Sequence, residues 1–471
     1  MADDVLTARS QPAWLPGTGP SPITSRSSVA RAGAGPNGRA KAANSGGAAI
    51  DIRQHSARGG LHAAAGRCRR RQIGQRSGLH RPVLNRSVTT WRLVPDRTSR
   101  AQTADPRARK DPMTGAMSEI VGDFVHDCLP RRTVFGAGVS GTQLASEFDR
   151  LAITSVLTVT SPSQVAVAED LVQQSHRGCA GVVTLRPGEN ASARSQVVEA
   201  IAGSGADCLF AVGGGTVMHV AKEAAALAAV PVVAVPTTYA GAELSSGPEE
   251  FLHDQAPGAA QLVPRVVLYD PQLTFSLPDD FTAVSVMTAL ANGVEALCAP
   301  RVSPVFTLLA EDGLRRLADG SPDAILHPNG LIGRSQTQYG GYLAGAAFAT
   351  VPPGPHHRLC ATLADFAELR RADVHAVLLP YSLGAKRTTR PLNLARIAGA
   401  LGHNDAVQGV RALACDVGAP LSLKELGMDL ASLEALTESL PEGTDRICGF
   451  EPGGLADLLT NAYDGTPPEQ G

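Results

Sequence analysis

Three consecutive glycines, Gly213, Gly214 and Gly215, stand directly after an apolar run at 208–212 and directly before Thr216. The chemistry open to such a stretch is phosphate binding. Glycine lets the main chain turn sharply and leaves no Cβ between backbone and ligand. The free N–H groups at a helix start, with the positive end of its dipole, hold an anion. Thr216 stands at the N-cap position, which predicts a helix over 217–227 carrying His219 and Lys222. A glycine turn alone is equally a bare strand-to-helix connection. A second stretch weighs against that reading. Pro231-Val-Val-Ala-Val-Pro236 is another apolar run, and it ends in Thr237-Thr238-Tyr239-Ala240-Gly241. Two successive strands thus finish in small or hydroxylated residues, at the sheet edge where nucleotides bind in open α/β folds.

Such an edge requires a parallel sheet to carry it. The pattern predicts strands at 133–135, 155–160, 181–185, 208–212, 231–236 and 264–269, alternating with helices at 139–151, about 161–176, 191–202 and 217–227. An apolar stretch from Phe124 precedes the first strand. After Leu277-Pro278 the strand signal fades. Helices are predicted over 284–299, 305–317, 330–349, 356–369, 392–401, 405–417, 430–437 and 453–463. The fold class is therefore α/β, a Rossmann-like doubly wound N-terminal domain at 119–278 followed by an all-α domain at 279–471. The cleft between them is the default site.

Composition narrows the function. Residues 1–112 hold 20 Lys/Arg and 6 Asp with no Glu, whereas 22 basic and 38 acidic residues remain for 113–471. The acidic body excludes a nucleic-acid partner. Residues 1–118 read as a disordered basic extension, an artefact of too early a start codon if translation begins at Met113 or Met117; the other reading is a targeting or nucleic-acid arm around Arg69-Arg70-Arg71. Eight scattered cysteines without a CxxC fit reduced thiols in the cytoplasm. No run of about 20 apolar residues stands out as a membrane span.

Five strings carry a resemblance: Phe135-Gly-Ala-Gly138, Ala211-Val-Gly-Gly-Gly-Thr216, Val235-Pro-Thr-Thr-Tyr-Ala-Gly-Ala-Glu243, Leu268-Tyr-Asp-Pro271 and Gly354-Pro-His-His-Arg-Leu-Cys360. Together they resemble the iron-containing alcohol dehydrogenase superfamily, and most closely its maleylacetate reductase branch. The resemblance implies a dehydroquinate synthase-like fold and NADH or NADPH in the cleft. It places the pyrophosphate on Gly213, Gly214, Gly215 and Thr216, and the nicotinamide ribose near Thr237 and Thr238. Ser161 falls where dehydrogenases of the wider family carry an Asp for the adenosine ribose. Ser161-Pro-Ser-Gln164 has no carboxylate to repel a 2′-phosphate, so both cofactors fit.

The family's four metal-ligand positions fall here on Thr288, Asn292, His357 and Arg371. One imidazole of four does not make a first-row metal site, so no catalytic metal is expected. Ala361 and His219 replace other residues usual in the family, and 241–264 lacks the Lys that many relatives place near the ribose. The expected activity is NAD(P)H-dependent reduction of a small unsaturated oxo-acid, of the maleylacetate to 3-oxoadipate type. His356, His357, Tyr239 and Arg371 are the candidate catalytic residues, and Arg358 with Arg371 suits a dicarboxylate. Each has a plainer reading: packed histidines, an Arg371 paired with Asp365, Glu368 or Asp373, and a Tyr239 that walls the pocket. His375 lies four residues after Arg371 on the same helical face. A homodimer is expected. Two other functions stand beside this one: a repurposed or inactive relative that is non-redox or binds a ligand only, and a metal-dependent dehydrogenase with recruited ligands.

Overall fold

The computed structural model describes residues 132–186, 191–245, 263–300, 302–439 and 454–468. The basic extension, the apolar stretch at Phe124 and the segment 246–262 lie outside the described residues. Contacts divide the chain after Gln102, and every described residue belongs to the second unit, Thr103–Gly471.

Six strands form one parallel sheet: β1 (Arg132–Phe135), β2 (Ser155–Thr160), β3 (Gly178–Thr184), β4 (Cys208–Gly213), β5 (Val232–Pro236) and β6 (Val266–Tyr269). Their spatial order is β1-β6-β5-β4-β2-β3. Four helices cover the sheet: α1 (Val139–Arg150), α2 (Val165–Gln174), α3 (Ala191–Ser204) and α4 (Gly215–Ala228). Alternation along β4 sorts them. Cys208, Phe210 and Val212 pack with Leu144, Phe148 and Leu171 of α1 and α2. Leu209 and Ala211 pack with Val197, Ile201, Val217 and Val220 of α3 and α4. Burial on both faces explains why β4 and β5 are continuous apolar runs. In register, Gly213 stands beside Pro236, and Thr237 N–H donates to Gly213 O at 3.0 Å. The glycine turn and the threonine loop thus emerge side by side.

The second half is helical: α5 (Asp279–Cys298), α6 (Pro304–Leu326), α7 (Leu331–Phe348), α8 (Pro355–Ala367), α9 (Arg371–Gly384), α10 (Pro391–Ala400), α11 (Ala406–Asp416), α12 (Leu430–Ser439) and α13 (Gly454–Asp464). α5 is long and apolar enough to cross a membrane, contrary to the expectation that no such run exists. It is instead the axis of the helical core: from Thr282 to Cys298 every residue but Thr288 is buried. α9 is absent from the series of predicted helices, although the spacing of Arg371 and His375 already implies one helical face there. Pro380 sits inside it, and a proline removes one helical hydrogen bond. Packing outweighs that loss, since every residue from Asp373 to Leu383 is buried. Pro322 hid the last turns of α6 in the same way. α4 begins two residues earlier than expected, with Gly214 rather than Thr216 as its cap.

Candidate active site

On α5, Asn292 reaches the loop after β5 and Glu295 the start of α8; they are three residues apart and therefore on one side of the helix. Glu295 lies in an otherwise apolar helix and needs partners to exist there as an anion. It finds three at the start of α8. Gly354 N–H donates to Oε2 at 3.1 Å and His356 N–H to Oε1 at 2.8 Å. His357 Nδ1 donates to Oε2 at 2.5 Å. The carboxylate thus caps α8, where a negative charge also meets the positive end of the helix dipole. Burial pushes the carboxyl up; the hydrogen bond and charge of His357, helped by His356, outweigh it and hold it at about 2.

The other nitrogen of His357, Nε2, lies 3.0 Å from Asn292 Oδ1. The orientation of that amide is fixed from its far side, because Asn292 Nδ2 donates to Ala240 O at 2.9 Å. Both ring nitrogens of His357 therefore meet acceptors, so the ring donates twice and is an imidazolium. Phe348 stacks on it, with centroids 4.3 Å apart and planes inclined by 21°, an arrangement that favours a cation. The Glu295 side chain is 4% exposed and that of His357 is 16% exposed, so the ring forms the open end of a buried ion pair.

His356, one residue away, points elsewhere. Its Nδ1 lies 2.8 Å from Ser382 Oγ and its Nε2 lies 3.0 Å from His375 Nδ1. Burial pushes His356 down to about 3 and holds His375 well below its ordinary range, so both rings are neutral. The catalytic role expected of the His356 side chain is thus not supported; its contribution is the backbone bond to Glu295. Cys360 completes this cluster, in which three ligand-type atoms lie within 4.8 Å of one another. Its sulfur is 3.6 Å from His356 Nε2 and 3.8 Å from Nδ1. It lies beside the ring rather than along one nitrogen lone pair, and that nitrogen already bonds His375. This is hydrogen-bonded packing, not a ligand set.

Tyr239 is also corrected. It is 2% exposed, and its hydroxyl lies 3.1 Å from Thr274 Oγ1 and accepts from Arg334 Nη1 at 3.0 Å. Burial raises it further out of reach as an acid. Arg371 lies half exposed at the start of α9 and pairs with Asp365 at 3.4 Å, the plainer of its two readings. Lys222 is buried and donates to Ala242 O at 2.6 Å and Ser245 O at 2.7 Å, which makes it an anchor for the loop after β5. His219 lies partly exposed on α4, pushed down to about 3 by burial and by the charges of Lys222 and Arg371.

The dinucleotide edge has the shape a pyrophosphate needs. A Cβ on Gly213 would come within 2.8 Å of Val217 Cγ2, and one on Gly214 within 2.9 Å of Thr238 Cγ2. Gly214 caps α4 with no side-chain hydrogen bond, so the first-turn N–H groups, including that of Thr216, remain for an anion. Thr237 is buried and Thr238 partly exposed, so Thr238 is the one that reaches the cleft. Ser161 directly follows β2, with its hydroxyl 3.2 Å from that of Ser163. These residues fit a dinucleotide.

The four metal-ligand positions do not fit a metal. Thr288 Oγ1 donates to Val284 O at 2.8 Å in its own helix. Asn292 and the doubly protonated His357 bond each other, and Arg371 is a cation. Of this set only His357 is an ordinary ligand of a first-row metal. Sequence reasoning missed Glu295. A lone carboxylate in the middle of an apolar helical run was the available signal.

Comparison with known proteins adds the family. Residues 130–271 match the iron-containing alcohol dehydrogenase model, and 282–447 match that of the Fe-containing alcohol dehydrogenase family, C-terminal. Maleylacetate reductase of Pseudomonas sp. (strain P51) is 34% identical over 354 residues, covering 74% of this chain and 99% of the relative. That of Burkholderia cepacia is 35% identical over 352 residues, covering 73% and 99%. The crystal structure of maleylacetate reductase from Agrobacterium tumefaciens superposes with a TM-score of 0.66 at 31% identity, covering 74% of this chain and 99% of that one.

Proposed function

The chain belongs to the iron-containing alcohol dehydrogenase superfamily, in its maleylacetate reductase branch, and from that premise we propose that it is an NAD(P)H-dependent reductase of a small unsaturated oxo-acid that works without a catalytic metal. The substrate type is maleylacetate, reduced to 3-oxoadipate. The observation that carries this reading is the His357–Glu295 pair: a fixed imidazolium stands at the position where the family's metal sites hold a ligand.

Bound NAD(P)H supplies a hydride to the carbon–carbon double bond. His357 shares its Nε2–H between Asn292 Oδ1 and the oxo oxygen, which becomes negative as the electron pair of the double bond shifts toward it and so draws the proton to itself. That oxygen takes the Nε2 proton, giving an enol that reverts to the ketone in water, and the ring recovers its proton from solvent after release. Glu295 keeps the ring oriented throughout and favours its return to the cationic form after the proton is given up. His356, His375 and Ser382 wall its buried side. On this reading the protein acts in the cytoplasm as a homodimer on a small carboxylate.

The test is steady-state oxidation of NADH and of NADPH with maleylacetate, on wild type and on His357→Gln. Turnover in the wild type that falls about 100-fold in the variant is expected, the scale of losing one preorganised donor. Absence of turnover with either cofactor would leave the non-redox reading in its place.

A further inference from the structure

The loop from Pro236 to Gly241 belongs to the sheet by sequence, yet the helical half holds it. Gln338 Nε2 donates to Pro236 O at 3.3 Å, Arg334 Nη1 to the Tyr239 hydroxyl at 3.0 Å, and Asn292 Nδ2 to Ala240 O at 2.9 Å. Of these three, only Asn292 also touches the ion pair, through His357 Nε2 at 3.0 Å. There is little slack at this joint. Gly241 has φ +72°, and a Cβ there would stand 3.1 Å from Asn292 Nδ2 and 3.3 Å from Gly345 Cα. A single rigid amide plane, itself 4% exposed, thus has one edge on the dinucleotide loop and the other on the imidazolium.

We propose that Asn292 is a positioning residue through which a dinucleotide on the Thr237–Gly241 loop and an oxo-acid on His357 favour each other's binding. A ligand that orders the loop fixes Ala240 O, hence the amide plane, hence the direction of the His357 Nε2–H. A ligand that shares that N–H with Asn292 Oδ1 immobilises the His357 ring and so holds the same plane from the other end. The second ligand meets a site whose ordering has already been done, and linkage makes the effect reciprocal. This inference rests on the reductase reading for its ligands but not for its joint.

NADH affinity is measured by fluorescence titration with and without 3-oxoadipate, a pairing in which both partners are already reduced and no turnover intervenes. In the wild type, 3-oxoadipate is expected to tighten NADH on the order of tenfold. Asn292→Asp keeps an acceptor for His357 but removes the donor to Ala240; NADH and 3-oxoadipate should still bind, each indifferent to the other. Coupling that survives in Asn292→Asp, or is absent from the wild type while both ligands bind, overturns the proposal. A ligand-free arm separates its failure from failure of the reductase reading. Gly241→Ala presses on Asn292 and is expected to shift the His357 ring N–H resonances in the wild-type background, but not in Asn292→Ala. Equal shifts in both backgrounds, or none in either, overturn it even if no dinucleotide binds.

Discussion

Replacing Glu295 by glutamine changes the shape of the site least and its electrostatics most. The carboxylate accepts from Gly354 N–H, His356 N–H and His357 Nδ1–H. An amide accepts at one atom only, so at least one of these donors then faces an NH2 group. The imidazolium also loses its counter-ion. The size of the effect follows from the carboxyl's displacement, from an ordinary 4.5 to about 2 in the folded protein. At 1.36 kcal/mol per tenfold in affinity for the proton, that is about 3 kcal/mol of stability. Breaking a buried ion pair by removing one partner gives a similar figure, about 3–5 kcal/mol. Because the folded value is depressed, this contribution is complete above pH 4.5 and fades as pH falls toward 2. Urea denaturation of wild type and Glu295→Gln should therefore differ by about 3 kcal/mol at pH 7, with a gap that begins to close only below about pH 4.5. Turnover should fall on the order of 100-fold, since the cation facing the substrate oxygen is lost. A variant within 1 kcal/mol of wild type at pH 7 and fully active would refute the claim that Glu295 holds His357 charged.

Four further outcomes follow. Gly214→Ala places a methyl group against Thr238 and across the pyrophosphate position, so dinucleotide affinity in a binding titration should weaken by about tenfold or more with secondary structure retained. Lys222→Met leaves Ala242 O and Ser245 O without this donor and should lower stability by about 1–3 kcal/mol in thermal or urea melts. Tyr239→Phe removes a hydroxyl bonded to Arg334 and Thr274, not a proton donor in the cleft; the pH–rate profile should keep its shape while stability drops by about 1 kcal/mol. The triple change Thr288→Asp, Asn292→His and Arg371→His rebuilds one carboxylate and three imidazoles, and elemental analysis should find stoichiometric ferrous iron or zinc in that variant.

Much of the fold was legible because burial on both faces writes β4 and β5 as unbroken apolar runs, and because the glycines of the first α/β turn follow β4 without a gap. Boundaries were softer. Nothing local marks Gly214 rather than Thr216 as the cap of α4, since either residue suits that position. α9 was hidden by Pro380, whose local penalty is visible in the sequence while the packing that outweighs it is not. The site was legible in type and not in geometry. His356 and His357 are adjacent, so their side chains leave α8 about 100° apart, and only the fold decides which faces the cleft. Tyr239 ends a loop that faces the cofactor, yet its hydroxyl turns to Arg334, which lies 95 positions later in the chain. Glu295 needed a question that apolar periodicity does not ask: what neutralises a carboxylate among Val294, Ala296 and Leu297.

The central claim is that His357, held cationic by Glu295 and Asn292, stands in place of a metal. It is tested most directly by assaying one purified sample for metal and for maleylacetate reduction, before and after exhaustive chelation. The account predicts substoichiometric iron and zinc and an unchanged rate with NADH or NADPH. A rate that vanishes on chelation and returns with ferrous iron or zinc would contradict it.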